Sequence, residues 1–534
     1  MAAGVRYIIL SGTCFMPLGL LLLLQLHPYT PAAAGSSSCS NTSVLAKTDV
    51  PRGSFLGKES LYVDRNEFPA SFKFGAMTWA IKHEAASYED GKSDGLWDAY
   101  SRKEGAVFDG TNPSVGGDHY HRYPEDIELL TDMGMDSYRF SVAWPRMFPN
   151  GTGEVNQLAI DHYNSVINKL IDAGIEPFIT LYEQDLPETL EGLYGGLLSP
   201  LFIDDFVHFA NACFSAFGDR VKHWITFDEG NDFLPFAYAA TYCPPGRCTL
   251  GYPYYNCTGG DSSTEPYIAG HNMLLAHAAA VDLYRKDYQL IQQGEIGMAI
   301  WFRWFEPLTT SSADIGAAER ATDFTVGWFI EPILYGDYPS SMKSILGERL
   351  PSFTEEESAR LHGSVDFIGL NAVTTIYATY DNDVSNISAP GYFEDWGAKL
   401  TAYKDGVAIG RNDGEYMVPW GLQKVLGYMR TRYNNFPTYV TALGYGLNST
   451  STNDDVRVEF FAEYFKYLIA GMRDGADVKG VFAWSLIDGF ETTLGLQQRF
   501  GLYYVDESFV RHPRLSALWF KNMLTSNGTL ISKS

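Results

Sequence analysis

Two adjacent carboxylates, Asp228 and Glu229, are the residues of the sequence best suited to chemistry. They directly follow a short apolar run at 224–227 that is typical of a buried β-strand. Two acids at a strand end suit general acid and base catalysis, in which one group donates a proton and the other accepts it. The alternative is a solvated pair of charges in front of a surface loop. Position alone leaves both interpretations open.

Eight such apolar runs recur along the chain, and helical patterns separate them. Residues 161–173 and 456–472, for example, each place apolar side chains on one helical stripe. Eight strands that alternate with helices predict a parallel sheet closed into a single (β/α)8 barrel over residues 61–525. Active groups of this fold lie at the carboxyl ends of the strands, where Asp228 and Glu229 are predicted. The predicted strands are 72–77, 138–142, 177–182, 224–227, 296–302, 367–370, 438–441 and 481–486.

The composition is that of a large, acidic, globular chain. It has 534 residues, of which 46% are hydrophobic, and a net charge of −25. The apolar fraction is ample for a large core. The negative charge argues against nucleic acid as a partner, because phosphates recruit Lys and Arg. No cofactor and no metal ion are predicted.

The amino terminus has the pattern of a secretory signal peptide over residues 1–35. Arg6 precedes an apolar run with five consecutive leucines, and small residues follow as a cleavage site. An uncleaved anchor is the alternative, but Pro17 and the short apolar run argue against it, and no later run could span a membrane. We expect an extracellular, apoplastic or vacuolar protein, with residues 36–60 as an extension and 526–534 as a tail. Six sequons are predicted glycosylation sites: Asn41, Asn150, Asn256, Asn386, Asn448 and Asn527.

The cysteines indicate one local disulfide in an oxidising compartment. Cys248 and Cys257 flank a short loop rich in Gly, Pro and Tyr, so we expect them to pair. Cys213 lies in an apolar helical pattern and is predicted to be a buried thiol. The pairing of Cys39 and Cys243 stays open.

Several longer motifs occur in order over nearly the whole mature chain. They include Asp-His-Tyr-His-Arg-Tyr at 118–123, Tyr-Arg-Phe-Ser at 138–141, Asp-Phe-Ile-Gly-Leu-Asn at 366–371 and Arg-Phe-Gly-Leu at 499–502. In these motifs the chain resembles the plant β-glucosidases of glycoside hydrolase family 1. The resemblance implies a retaining mechanism, in which two carboxylates about 5–5.5 Å apart act as acid/base and as nucleophile.

The resemblance assigns both catalytic positions. The family's Asn-Glu-Pro motif stands here as Asp228-Glu229-Gly230, so Glu229 takes the acid/base position. The family's Thr-Glu-Asn-Gly motif stands here as Thr-Ala-Leu-Gly at 441–444. Ala442 therefore takes the nucleophile position, and a methyl group forms no glycosyl-enzyme ester.

The resemblance also identifies ligand-binding positions, and several depart from the family. Six carry a different residue: Lys82 for Gln, Glu183 and Gln184 for His and Trp, Asp228 for Asn, Val373 for Tyr and Thr492 for an aromatic residue. Four keep the family residue: Arg139, Asn371, Trp484 and Glu491. Because an unpaired buried charge is expensive, Lys82 is expected to pair with Glu183 or Asp228.

Three functions are compatible with these substitutions. In the first, the chain is inactive as a retaining β-glucosidase and its charged pocket binds a glycoside or a small specialised metabolite. In the second, Glu229, Asp228 and Lys82 perform general acid/base chemistry on such a metabolite. In the third, a residual glycosidase works without a covalent intermediate, which requires a second carboxylate about 6.5–9.5 Å from Glu229. Neutral drift of an unused pocket is the plain alternative to all three.

Overall fold

The computed structural model describes residues 61–251, 257–381, 391–412 and 416–525. Eight strands pair in parallel in chain order, and the pairing of β8 with β1 closes them into a barrel. The predicted (β/α)8 barrel is thereby confirmed. Its strands are β1 (Lys73–Thr78), β2 (Ser137–Ser141), β3 (Glu176–Tyr182), β4 (His223–Asp228), β5 (Glu295–Pro307), β6 (Phe367–Tyr380), β7 (Thr438–Leu443) and β8 (Val478–Trp484).

Helices between the strands cover the outside of the barrel. The helix Gln157–Asp172 shows why they pack there: Tyr163, Val166, Ile167 and Leu170 recur three or four residues apart and are all buried. The other long helices are His119–Met133, Leu201–Phe217, Glu265–Leu283, Ser312–Thr322, Trp420–Arg432, Asp455–Arg473 and Leu515–Thr525. No helix in the described part of the chain is long and apolar enough to cross a membrane.

An apolar layer fills the amino-terminal half of the barrel interior. It consists of one buried side chain from each of six strands: Phe178, Ile225, Ala299, Phe367, Tyr439 and Phe482. Side chains two residues apart on a strand face the same side. Thr180 and Thr441, two residues beyond Phe178 and Tyr439, therefore also face the interior, nearer the carboxyl ends. The polar site described below lies above this apolar floor.

Two strands run further than their apolar patterns predict. β6 continues past the barrel to Tyr380, because its outer half pairs antiparallel with the strand Ala398–Thr401. β5 continues to Pro307 alongside it. Hydrophobic pattern alone gave only the part of each strand that lies within the barrel wall.

The cysteine predictions are confirmed where the structure describes them. Cys248 and Cys257 form a disulfide, and Cys213 is a buried free thiol. Cys243 is also disulfide-bonded.

Two predicted glycosylation sites, Asn150 and Asn448, are exposed between regular elements, as a glycan requires. Asn41, Asn256, Asn386 and Asn527 lie outside the described residues, together with the predicted signal peptide, extension and tail.

Candidate functional site

Asp228 and Glu229 lie at the carboxyl end of β4, inside the mouth of the barrel. Asp228 is the last residue of the strand, and both side chains are buried. Glu229 has a left-handed backbone with φ of 51°, and its N–H donates to the carbonyl of Ala299 on β5 at 3.0 Å. The chain therefore turns at Glu229 and enters the helix Gly230–Tyr238 directly. The surface-pair interpretation of these two acids is wrong, because neither is exposed.

Arg139 on β2 neutralises the acids on one side of the mouth. Its Nη2 lies 2.6 Å from Asp228 Oδ1 and 3.4 Å from Glu183 Oε1, and all three residues are buried. Its Nε also donates to Thr180 Oγ1 at 3.0 Å. One guanidinium thus holds two carboxylates that the sequence places on different strand ends.

Asn371 on β6 links the two acids of β4 to β7. Its Nδ2 donates to Asp228 Oδ1 at 3.1 Å and to Glu229 Oε1 at 2.7 Å. Its Oδ1 accepts a hydrogen bond from Thr441 Oγ1 at 2.8 Å. Ala442 is the residue of β7 that pairs with Asn371, and it is partly exposed while Thr441 and Leu443 on either side are buried. Ala442 therefore lies one strand away from the side chain that contacts Glu229.

Lys82 pairs with Glu491, and the prediction that it pairs with Glu183 or Asp228 is wrong. Its Nζ donates to Glu491 Oε2 at 2.7 Å in a fully buried ion pair. The ammonium also lies 3.9 Å from the ring centre of Trp79 and 4.6 Å from that of Trp484, within cation–π range. The physical reason for the different pairing is Arg139, which already contacts both acids expected to attract Lys82.

The remaining predicted site residues are placed at neighbouring loops. Gln184 follows Glu183 with φ of 59°, and its Oε1 accepts a hydrogen bond from Trp97 Nε1 at 3.4 Å. Thr492 is buried and begins the short helical turn Thr492–Leu494. Val373 belongs to β6, two residues after Asn371.

Burial shifts the protonation of these acids. Burial, and after it the charge of Asp228, raises the pKa of Glu229 well above its ordinary value. The same two causes raise the pKa of Glu183 well above its ordinary value. Burial also raises the pKa of Glu491, and Lys82 opposes that rise. Glu183 and Glu229 are therefore proton donors at a pH where exposed glutamates are ionised.

The electrostatic balance is consistent with those shifts. Burial disfavours the charged form of Arg139, yet Asp228 and Glu183 raise the pKa of Arg139 above its ordinary value. Lys82 and Arg139 supply two positive charges for Glu491 and Asp228. Protonation of the other two acids leaves the buried group close to neutral.

Four carboxylate oxygens of this group have no hydrogen-bonding partner among the described residues. They are Glu183 Oε2, Asp228 Oδ2, Glu229 Oε2 and Glu491 Oε1. Buried polar atoms in native proteins nearly always have a partner, so such a concentration marks a site. In the described part of the chain, no three His, Cys, Asp or Glu residues are arranged to hold a metal ion.

Sequence reasoning missed four residues that shape the site. Trp79 contacts Lys82, while Thr180 and Thr441 orient Arg139 and Asn371. Trp301 on β5 pairs with Asn371 along the strands, and its buried indole N–H has no partner among the described residues. Their position was the signal in the sequence, because each lies within two residues of the carboxyl end of a predicted strand.

A closed (β/α)8 barrel with acids at the carboxyl ends of its strands is the architecture of a barrel enzyme, and comparison of the sequence with known families identifies which one. The chain belongs to glycosyl hydrolase family 1, whose sequence pattern matches residues 64–529. The match covers the whole barrel, from before β1 to the last helix.

Individual relatives are plant β-glucosidases. Coniferin beta-glucosidase of Pinus contorta is 45% identical over 475 residues, which is 86% of this chain and 93% of that protein. Beta-glucosidase 34 of Oryza sativa subsp. japonica is 44% identical over 476 residues, 87% of this chain and 93% of that protein. A mutant rice β-glucosidase in covalent complex with glucose superposes with a TM-score of 0.85 at 42% identity, covering 87% of this chain and 100% of that one.

Proposed function

We propose that this family member does not hydrolyse β-glucosides by the retaining mechanism and that its barrel mouth binds a small metabolite. The observation that carries the proposal is Ala442. It lies beside Asn371, which donates to Glu229, and β7 contains no acid from Thr438 to Leu443. A retaining glycosidase needs a carboxylate about 5–5.5 Å from its acid, and a methyl group cannot attack the sugar. Loss of a covalent nucleophile commonly lowers the rate by several orders of magnitude.

The ion pair of Lys82 with Glu491 supports the same proposal. By the resemblance, Glu491 would bind sugar hydroxyls, and here one of its oxygens is already held by an ammonium at 2.7 Å. Arg139 and Asn371 likewise hold Asp228, where the family has a neutral Asn. A glucose ring would have to compete with these buried ionic contacts for the same groups. Glycosides, for which the relatives are named, are therefore less suited to this mouth than a ligand that exploits its charges.

A second candidate function is general acid/base catalysis without a glycosyl-enzyme. It is favoured by the placement of Glu229, a buried acid with a raised pKa, beside Asp228, whose charge Arg139 stabilises. Such a pair suits an isomerisation or an elimination, in which one proton is removed and another is delivered. Lys82 would take no part in the proton transfer, because its ammonium is already paired with Glu491, and this ion pair would instead fix the side chains next to the two acids.

Release of nitrophenol from a panel of aryl β-glycosides, with and without azide or formate, tests the proposal. We expect no turnover at ordinary family rates without the anion. Rescue by the anion would show that an external nucleophile can occupy the space beside Ala442 and that the sugar subsite still works. Glu229→Gln is the matched control, because it removes the acid and should lower any rescued turnover most for the glycosides whose leaving phenol is least acidic. Hydrolysis at ordinary rates without an anion would refute the proposal.

We also propose that the protein follows the secretory route to the apoplast or the vacuole. The amino-terminal pattern, the disulfide of Cys248 with Cys257 and the exposed sequons Asn150 and Asn448 support this. Mass spectrometry of the protein purified from its source tests it, because the mature chain should begin near residue 36 and carry glycans.

A further inference from the structure

Asp228 and Glu229, neighbours at the carboxyl end of β4, each have one carboxyl oxygen that accepts no hydrogen bond from an N–H or hydroxyl group of the described residues. Asn371 Nδ2 donates to one oxygen of each, at 3.1 and 2.7 Å, so the two carboxyl groups are held next to each other. The other oxygens, Asp228 Oδ2 and Glu229 Oε2, are buried and accept no hydrogen bond from an N–H or hydroxyl group among the described residues, while the carboxyl group of Glu183 contacts that of Asp228. Both residues are at least nine-tenths buried, with exposed fractions of 0% and 2%. Leaving such acceptors unpaired is costly, and a ligand with several donors removes the cost.

The charges of the site specify what kind of donor fits. Four buried carboxyl groups, those of Glu183, Asp228, Glu229 and Glu491, surround two cations, Lys82 and Arg139. Lys82 pairs with Glu491, and Arg139 forms its shorter contact with Asp228 and a longer one, at 3.4 Å, with Glu183. Glu183 and Glu229 are the two acids whose pKa burial raises most, so they hold protons where the other two are charged. An arriving cation can take the place of the proton that such a carboxyl group holds, and an ammonium brings three N–H donors with its charge.

The surroundings favour an organic cation with an apolar body. Trp79 and Trp484 line the neighbouring wall, where they already stack on the ammonium of Lys82. Trp301 lies beside Asn371 on the next strand. Ala442, partly exposed beside Asn371, has a side chain that ends at a methyl group. Aromatic walls of this kind bind both the rings and the charge of small amines.

We infer that Asp228 and Glu229 bind the primary ammonium group of a small aromatic amine in the mouth of the barrel. This inference rests on the proposed function, since it names the ligand class of that non-hydrolytic site. The ammonium donates to Asp228 Oδ2 and Glu229 Oε2, and the aromatic part packs toward Ala442 and the tryptophans.

Binding of this kind is linked to proton release. The charged groups that act on Glu229 are Asp228, Asp232 and Lys82, with Arg139 across the mouth. In the empty site Glu229 keeps its proton, and the arriving ammonium favours the ionised carboxylate instead. About one proton should leave per ligand bound, and binding should therefore be tighter at pH 7.5 than at pH 5.5.

Calorimetry with three probes of one shape tests the inference on the full chain. The probes are 2-phenylethylamine, its alcohol 2-phenylethanol and its N-trimethyl derivative. We expect the amine to bind at least about tenfold more tightly than either, because the alcohol lacks the charge and the trimethyl compound lacks the donors. Titrations in two buffers of different ionisation enthalpy should show proton release for the amine alone.

Variants connect the binding to the named residues. Glu229→Gln and Asp228→Asn should each weaken amine binding about tenfold or more, and Ala442→Leu should block it by filling the adjacent space. Glu356→Gln, at a site whose side chain is 76% exposed, should change nothing. If Asp228→Asn fails to fold because Arg139 loses its partner, Glu229→Gln alone decides the result.

Equal affinity for amine and alcohol, or no binding of the amine, would overturn the inference. That outcome would leave the proposed function standing, because nitrophenol release is measured without any amine. Conversely, ordinary glucosidase turnover would refute the proposed function whatever the amines do. Binding that persists in Glu229→Gln and in Asp228→Asn would place the amine elsewhere and also overturn the inference.

Discussion

Replacement of Lys82 by Met removes the cation of the buried ion pair and keeps a side chain of similar length. Glu491, left without its partner, must either remain as a buried anion or take up a proton. Removal of one partner from a buried pair commonly destabilises a protein by about 3–5 kcal/mol. The loss of the contacts over Trp79 and Trp484 adds about 0.5–2 kcal/mol.

The cost depends on pH because protonation of Glu491 is the cheaper response. Its unfolded pKa is near 4.5, and burial raises its folded pKa. Holding the proton at a higher pH costs about 1.4 kcal/mol per unit above the unfolded value. The ionisation part of the cost is therefore about 4 kcal/mol at pH 7.5 and under about 1 kcal/mol at pH 5.0.

Thermal unfolding at the two pH values measures the difference. With an unfolding entropy of about 2 cal/mol/K per residue, about 1 kcal/mol corresponds to about 1 °C for a chain of this size. We expect Lys82→Met to lower Tm by about 4–6 °C at pH 7.5 and by about 1–3 °C at pH 5.0. Adding Glu491→Gln should remove the pH dependence. Lys521→Met, which breaks an exposed pair with Asp132, should change Tm by at most about 1 °C.

Two results would refute this prediction: an equal fall of Tm at both pH values in Lys82→Met, or a pH dependence that persists after Glu491→Gln is added. Either result would mean that Glu491 is not the group that Lys82 neutralises.

Three further outcomes are expected. Glu229→Gln should raise Tm by about 1–3 °C at pH 7.5 and leave it unchanged at pH 4, because Gln is always neutral and burial favours the neutral form of Glu229. The stability that protonated Glu229 contributes is fully present below its unfolded pKa and is lost as pH rises through its folded pKa. An equal change of Tm at both pH values would contradict this prediction. Ala442→Glu alone should leave aryl β-glucoside hydrolysis at background, because Lys82 still holds Glu491. Adding Lys82→Gln should raise the rate of hydrolysis. Full activity of the single variant would show that the ion pair does not obstruct the sugar. Replacing Cys248 and Cys257 together by Ser should lower the free energy of unfolding by about 2–3 kcal/mol, the value expected for a disulfide that closes a short loop. Calorimetry that finds no change would show that the disulfide does not stabilise the folded chain.

The sequence predicted the barrel well because each strand core is an apolar run of the length that a barrel wall requires. It failed where strands continue beyond the wall, as β6 does to Tyr380, because that part is set by pairing with Ala398–Thr401 and not by burial. Pattern methods read the interior of a fold more easily than its outer extensions.

The sequence also predicted which charges occupy the mouth but not how they pair. Lys82 and Glu491 lie 409 residues apart, and nothing in either local pattern connects them. The sequence identified Arg139 only as a residue shared with the family. The contact of its Nη2 with Asp228 Oδ1 at 2.6 Å is apparent only in the folded barrel, where β2 and β4 lie close together. Pairing among several buried charges depends on distances of a few ångströms, which spacing along the chain does not encode.

The separation between Lys82 and Glu491 has a consequence for synthesis. At about 5–20 residues per second, the ribosome delivers Glu491 roughly 20–80 s after Lys82. For most of that interval β1 lacks its neighbour β8, and throughout it the ammonium of Lys82 lacks its counter-ion. A chain that stops before residue 491 would have the charged ammonium of Lys82, which is buried in the folded protein, without its counter-ion. The ion pair can therefore form only in a chain that extends at least to Glu491, and a shorter chain would bury Lys82 at a penalty.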